Sequence, residues 1–185
     1  MRRTAVLPAL VLVGGLLGPS AALASEEGGD HNNRWIAVED TFAIVLPNGE
    51  TFTGDDEPMN GEEEEAPPVG TRVFVGEALY ETEDGTTRGD EVGRTLIECT
   101  FHAVALNAMC DIAFVFDTGS QLHGTVAVDF SMESETEALQ FDIAVTGGTD
   151  DYFGATGVVS LTDISTTEDE TVTLYEADVI LPHEK

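Results

Sequence analysis

Two cysteines are the first residues whose type and spacing could do chemistry. Cys99 and Cys110 are the only cysteines in the sequence and lie about ten residues apart across a predicted turn. An even count in a chain whose N-terminus resembles an export signal favours a disulfide. A catalytic thiol would need a nearby base or helix N-terminus to lower its pKa, and the local sequence supplies neither. The sequence therefore predicts a Cys99–Cys110 disulfide.

Carboxylates and histidines are the other candidate groups. Calcium binding would require several oxygens that converge on one point, and no loop has the EF-hand spacing. His102 and His123 lack the spacing of a metal site, and we expect them on the outer surface. No nucleophile elbow, phosphate loop or zinc spacing is present. We therefore expect no metal and no other cofactor.

The N-terminus and the charge indicate where the protein works. Two arginines, an apolar run at 5–17 and small residues at 22–24 predict a signal peptide over 1–24, followed by an acidic lead at 25–34. The apolar run is shorter than the roughly 20 residues of a spanning helix, so we expect a secreted, extracellular protein without a membrane anchor.

The predicted mature chain is very acidic. Seven basic residues less the two in the signal leave 5 against 36 acidic residues, a net charge of −31. This charge repels phosphate backbones and anionic lipids, which disfavours nucleic acid and membrane partners. The acidity fits either a halophilic adaptation or simple solubility.

The elements that must position these groups are short strands. Runs rich in Val, Ile, Phe and Thr alternate with Gly and Asp clusters, which is typical of all-β proteins. The strands are predicted at 35–46, 72–81, 93–102, 108–117, 121–131, 139–146, 154–164 and 171–181. An acidic stretch at 47–68 predicts a mobile surface loop, or else a lid over a barrel mouth. We predict one domain, 35–181, that forms a single eight-stranded antiparallel barrel in mostly meander order.

The cysteines also predict the strand register. If Cys99 and Cys110 face each other in an antiparallel hairpin, paired residue numbers sum to 209, and one face becomes apolar while the other carries polar groups. The same alternation continues downstream. The inward face is thus an apolar core or a pocket for one small ligand. The predicted pocket residues are Thr41, Ile97, Ile112, Phe114, Val126, Val128 and Phe141.

One hairpin makes the chain resemble a known family. The segment 144–149, Ala-Val-Thr-Gly-Gly-Thr, is followed by Tyr152 and glycines at 154 and 157. It resembles the signature hairpin of the allene oxide cyclase and dirigent superfamily, and 69–80 and 93–100 are similar to the family's second and third strands. The resemblance covers most of 35–181, with 47–68 as an insertion. It implies an eight-stranded barrel that can assemble as a homotrimer.

The resemblance also implies candidate roles. Plant allene oxide cyclases guide a ring closure with an acid, an amide, a cysteine and a tyrosine on successive strands. Here the acid position holds Glu39 and the cysteine position Cys99, whereas the amide position holds Glu77 and the tyrosine position Val128. Dirigent proteins bind radicals formed elsewhere and guide their coupling. The residues leave the branch of the superfamily open.

Glu39 and Glu77 are the candidate catalytic residues. The strand phase places both on the inward face, with Thr41 beside Glu39. A carboxyl in apolar surroundings has a raised pKa and serves as a general acid or as a ligand anchor. The simpler alternative is that a strand end, a bulge or a one-residue slip moves either side chain to the rim or into solvent.

Three functions agree with this pattern. The first is a secreted barrel that binds a small apolar or aromatic metabolite in its lumen and guides its stereochemistry in the dirigent manner. The second is an isomerase or cyclase of the allene oxide cyclase type that uses Glu39 and Glu77. The third is a structural or surface protein with a filled barrel.

Overall fold

The computed structural model describes residues 34–54, 67–102, 107–129, 139–167 and 170–182. The predicted signal peptide and residues 25–33 of the acidic lead lie outside the described residues. Within the described ranges, no helix is long and apolar enough to cross a bilayer.

The described part of the chain is built almost entirely from strands. The alternation of β-branched or aromatic residues with polar ones, interrupted by Gly and Asp turns, accounts for their short lengths. The strands are β1 (Arg34–Val45), β2 (Thr51–Thr53), β3 (Arg72–Glu81), β4 (Glu91–Phe101), β5 (Asn107–Phe116), β6 (Gln121–Asp129), β7 (Gln140–Thr149), β8 (Thr156–Asp163) and β9 (Val172–Ile180), and a 3₁₀ turn (Asp150–Tyr152) joins β7 to β8.

Eight of these strands form a closed antiparallel barrel. From β3 to β9 each strand pairs with the next in sequence, and β1 pairs with both β3 and β9, which closes the ring. Closure leaves no unpaired edge along the ring. The predicted fold class and meander order are confirmed. The short β2 lies outside the ring and pairs with the end of β1.

Strand β2 falls within the stretch that was predicted to be a loop. Thr51–Thr53 pairs with Ala43–Val45 after a turn in which the Glu50 amide donates to Asn48 Oδ1 over 2.9 Å. Residues 55–66 of the predicted acidic loop lie outside the described residues.

The register predicted from the cysteines is confirmed. Cys99 pairs with Cys110, and the two form a disulfide. Their hairpin neighbours follow the same sum: Ile97 pairs with Ile112, Thr95 with Phe114, and Phe101 with Ala108. The inward face of the barrel is therefore the apolar face that the alternation indicated.

An aromatic cluster fills one end of the barrel. Trp35, at the start of β1, is 5% exposed, and its ring centroid lies 5.9 Å from that of Phe114 and 5.4 Å from that of Phe116. Tyr152, on the turn after β7, stacks on Phe116 at 5.1 Å. A Cβ at Gly148 would overlap the Tyr152 side chain, so the glycine lets this turn pack over the barrel end. We call this the closed end.

The disulfide is expected to contribute strongly to stability. Because it closes a short loop, the chain-entropy estimate predicts that Cys99→Ala/Cys110→Ala lowers the free energy of unfolding by about 2 to 3 kcal/mol. Urea unfolding followed by far-UV circular dichroism measures the change, and reduced wild-type protein should match the double variant. An unchanged urea midpoint in the double variant would contradict this prediction.

Candidate functional site

A carboxyl cluster lies inside the barrel next to the closed end. Glu77 on β3 is 2% exposed. The Tyr175 hydroxyl donates a hydrogen bond to Glu77 Oε2 over 2.7 Å, and the Thr173 hydroxyl donates to Oε1 over 3.1 Å. Glu77 is thus inward and buried, and the alternative that a slip moves it into solvent is wrong.

A small residue on β1 makes room for this cluster. Ala37 pairs with Leu79 on β3 and with Thr173 on β9, so it stands between the two strands that supply the cluster. Ala37 is fully buried, and its methyl group leaves space for Glu77 to reach β9. The cluster therefore depends on a short side chain at position 37.

Glu39 is the second carboxyl of the cluster. It pairs directly with Glu77 across β1 and β3 and is half-buried. The register shifts immediately after it, between Glu39 and Thr41, which leaves Asp40 as an extra residue. Asp40 accepts a hydrogen bond from Arg94 over 2.6 Å at the surface. Glu39 and Glu77 share the interior, whereas Asp40 is held outside.

This bulge corrects the prediction for Thr41. Thr41 pairs with Gly76, is exposed, and donates a hydrogen bond to Asp40 Oδ1 over 3.0 Å. Simple alternation would place Thr41 on the same face as Glu39, but the extra residue reverses the phase. Thr41 consequently lies on the outer face.

Burial shifts the pKa of each titratable group in the cluster upward. The pKa of Glu77 is raised by burial, and the charge of Glu39 adds to this, although the hydrogen bonds from Tyr175 and Thr173 act against it. The pKa of Glu39 is raised by its partial burial and then by the charge of Asp40. The pKa of Tyr175 is raised well above its ordinary value by burial and by Glu77. The two carboxyls therefore hold a proton more tightly than free glutamates do.

No described cation neutralises the cluster. All four arginines of the described residues are on the outer surface, and each forms an ion pair there. The pairs are Arg34 with Glu176, Arg72 with Glu98, Arg88 with Glu170 and Arg94 with Asp40. Nor do three or more His, Cys, Asp or Glu side chains converge to hold a metal within the described ranges.

A buried hydroxyl beside Glu77 is unsatisfied. Thr95 on β4 pairs with Glu77 and is fully buried. Its hydroxyl oxygen forms no well-directed hydrogen bond, although it lies close enough to the Glu77 carboxyl to act against the rise in the pKa of that group. Most buried polar side chains form such a bond, so this group is an exception that calls for an explanation.

The predicted pocket residues divide into two sets. Ile112, Phe114 and Val128 are buried in the core. Ile97, Val126 and Phe141 are half-buried and pack against that core. The second set is the part of the predicted pocket that is inward and still partly exposed, whereas Thr41, the seventh predicted residue, lies on the outer face.

A separate groove of about 630 Å³ lies on the outside of the barrel. Its lining includes Gly76, which has no side chain, Ala113, whose side chain is a single methyl group, and Leu96, which is 50% exposed. The groove is also bordered by three of the predicted pocket residues, Thr41, Ile97 and Ile112. His123 borders the groove, as expected for an outward residue, and its ring lies 3.1 Å from the Gln121 side-chain oxygen. The barrel thus has an outer groove without the carboxyl cluster and an interior that contains it.

Sequence reasoning missed two members of the cluster. They are Tyr175 and Thr173 on β9. A signal was present, because positions 175, 177 and 179 of the last strand are aromatic or apolar and alternate with Glu176 and Asp178, and position 173 lies in the same inward phase.

No family model matches the sequence, and no curated protein matches it closely enough to be a relative. Solved structures do match. A pyocyanin demethylase superposes with a TM-score of 0.50 at 17% identity, over 80% of this chain and 98% of that one. The pterocarpan synthase dirigent protein GePTS1 superposes with a TM-score of 0.51 at 19% identity, over 77% of this chain and 83% of that one.

The chain has the dirigent-like barrel fold. The resemblance of the sequence to the allene oxide cyclase and dirigent superfamily is thereby confirmed for the fold. A shared fold does not determine a function, so the residues of the barrel must indicate the role of this chain.

Proposed function

We propose that the barrel binds a small, largely apolar or aromatic molecule in its interior, beside Glu39 and Glu77. The observation that carries this proposal is the carboxyl cluster itself. Glu77, Thr173 and Tyr175 form a hydrogen-bonded floor, and half-buried Glu39 stands at its edge. Ile97, Val126 and Phe141 supply the apolar contacts.

The cost of the cluster supports a ligand-facing role. An ionised carboxylate without a compensating charge in an apolar interior costs several kcal/mol, and well-packed apolar side chains in the same space would be more stable. Thr95 adds an unsatisfied hydroxyl to this cost. Buried polar groups that lower the stability of the fold are typical of functional sites.

An isomerase or cyclase is the second candidate, and the raised pKa of Glu39 favours it. A protonated Glu39 could donate its proton to a bound substrate, and Glu77 could stabilise the positive charge that develops. Glu39→Gln should then abolish turnover while binding remains nearly intact.

Filling the interior should block binding. Ile97 and Leu96 are neighbours on β4 whose side chains face opposite sides of the barrel wall, and both residues border the outer groove. With the neutral fluorescent probe N-phenyl-1-naphthylamine, we expect Ile97→Trp to weaken binding by about tenfold or more, which is about 1.4 kcal/mol. Leu96→Trp, the matched control, should leave the affinity within about twofold. Fluorescence titration measures both.

The other outcomes are equally informative. If Leu96→Trp weakens binding as much as Ile97→Trp does, or more, the ligand occupies the outer groove and the proposal is wrong. If wild-type protein binds no probe and a panel of small aromatic molecules fails to raise its melting temperature, the filled barrel is the better description.

We also propose that the protein is exported. The Cys99–Cys110 disulfide supports this, since such bonds persist in oxidising compartments. The signal at 1–24 and the homotrimer remain predictions. Intact mass of the protein from culture medium, followed by native mass spectrometry, tests both.

A further inference from the structure

We infer that the interior site selects an organic cation, an apolar or aromatic molecule that carries a protonated nitrogen. This inference rests on the proposed function, because it names the class of ligand for the same site. It follows from the charge inside the barrel, from the unsatisfied hydroxyl of Thr95, and from the apolar residues around them.

Among the described residues, the barrel interior has acidic groups and no basic group to match them. Glu39 and Glu77 are direct cross-strand partners, so their carboxyls are neighbours in a weakly screened space. The described arginines are all at the surface in ion pairs of their own. A ligand cation would supply the missing countercharge and allow both carboxyls to ionise.

The hydrogen-bond inventory favours a nitrogen that carries hydrogen. The hydroxyl groups of Tyr175 and Thr173 already donate their hydrogen bonds to Glu77. The floor of the site therefore offers a ligand more hydrogen-bond acceptors than donors. Carboxylates accept hydrogen bonds, and the Thr95 hydroxyl oxygen accepts one as well. A protonated amine or ring N–H therefore fits better than a quaternary nitrogen.

The surroundings exclude a bare metal ion as the expected occupant. A metal would need additional converging ligands, and among the described residues no three or more His, Cys, Asp or Glu side chains lie together so that they could hold a metal ion. The half-buried side chains Ile97, Val126 and Phe141, which pack against the apolar core, are hydrocarbon and suit an apolar body attached to the cation.

A matched pair of probes tests the charge directly. At neutral pH, 1-naphthylmethylamine is a cation, and 1-naphthalenemethanol is its neutral counterpart of similar shape. We expect the amine to bind wild-type protein at least about tenfold more tightly than the alcohol. Glu39→Gln should reduce this preference to about twofold or less, and Glu77→Gln should reduce it as well.

A surface control is essential because the whole chain has a net charge of −29. Glu83→Gln removes one exposed loop carboxylate and should leave the preference unchanged. All titrations should be run in about 1 M salt, where surface attraction is screened within about 3 Å but an interior pair is screened much less.

The results separate the two proposals. If the alcohol binds as tightly as the amine and Ile97→Trp weakens both, the interior site stands and the cation inference is wrong. A preference that survives both Glu39→Gln and Glu77→Gln also overturns the inference. If Ile97→Trp leaves the binding of both probes intact, or neither probe binds wild-type protein, the interior site is wrong and the inference falls with it.

Discussion

Trp35→Ala is expected to lower the free energy of unfolding by about 3 to 5 kcal/mol, which is a large share of the stability of a small domain. Trp35 is almost fully buried at the closed end and contacts both Phe114 and Phe116. Its removal leaves a cavity that β1, held by β3 and β9, is poorly able to collapse. Thermal and urea unfolding measure the loss.

Phe153→Ala is the matched control for this experiment. Phe153 follows the turn that carries Tyr152 at the closed end, but its side chain is 76% exposed. We expect this substitution to change the unfolding free energy by no more than about 0.5 kcal/mol. Equal losses for Trp35→Ala and Phe153→Ala would mean that the aromatic cluster is not a packed closure.

The Trp35→Ala variant also separates the effect on stability from the effect on ligand binding. The candidate ligand contacts lie at Glu39 and the half-buried apolar residues, whereas Trp35 lies among the closed-end aromatics. Folded Trp35→Ala protein, at a temperature below its transition, should therefore bind N-phenyl-1-naphthylamine with an affinity within about threefold of wild type. A much larger loss would show that the closed end forms part of the ligand site.

The sequence predicted the barrel well because two independent constraints agreed. Alternation specifies which face of each strand is buried, and the pairing of Cys99 with Cys110 specifies the register of one hairpin. Once one hairpin is in register and the strands follow in meander order, closure of the ring leaves few alternative registers for the remaining strands. This is why the inward position of Glu77 could be predicted from strand phase.

The parts that could not be predicted depend on local irregularity or on contacts between distant strands. The bulge at Asp40 reverses the phase of β1, and no residue type marks it, so Thr41 was assigned to the wrong face. The meeting of Glu77 with Tyr175 joins β3 to β9 over the small side chain of Ala37. Alternation predicts that each of these side chains points inward, but not which of them touch.

The stability of the wild-type protein is expected to increase as the pH falls from about 8 to about 5. The pKa values of Glu77 and Glu39 are raised in the folded protein above the ordinary Glu value of 4.5. The folded state therefore binds protons more tightly than the unfolded state. The resulting stabilisation is complete below pH 4.5 and is lost as the pH rises through the folded-state pKa values.

Carboxyls with lowered pKa values change the stability in the opposite direction as the pH falls, but they do so in a different pH range. Asp40 and Glu170 have pKa values lowered by their hydrogen bonds with arginines, and the pKa of Asp84 is lowered by hydrogen bonds with Thr86 and Thr87. Their stabilisation is present above the ordinary carboxyl values and is lost only as the pH falls below them. The interval from about pH 5 to about pH 8 thus reports mainly on groups with raised values.

Glu77→Gln isolates the contribution of the cluster in that interval. Glutamine has a similar shape, and its side-chain oxygen can still accept the hydrogen bond from Tyr175, but it carries no charge. At about pH 8 we expect the variant to be more stable than wild type, by about 1.4 kcal/mol for each unit by which burial raises the Glu77 pKa. At about pH 5, closer to the ordinary Glu value of 4.5, the difference should be smaller, since more of the wild-type carboxyl is protonated there than at pH 8.

Urea midpoints measured for wild type, Glu77→Gln and the exposed control Glu83→Gln across this pH range provide the test. Histidine titration and the change in overall charge affect all three proteins almost equally, so the differences between the curves report on position 77. If Glu77→Gln is less stable than wild type by the same amount at both pH values, the buried carboxyl is a satisfied structural group. A difference that grows with pH would instead identify a carboxylate that the fold carries at a cost, which a cationic ligand would relieve.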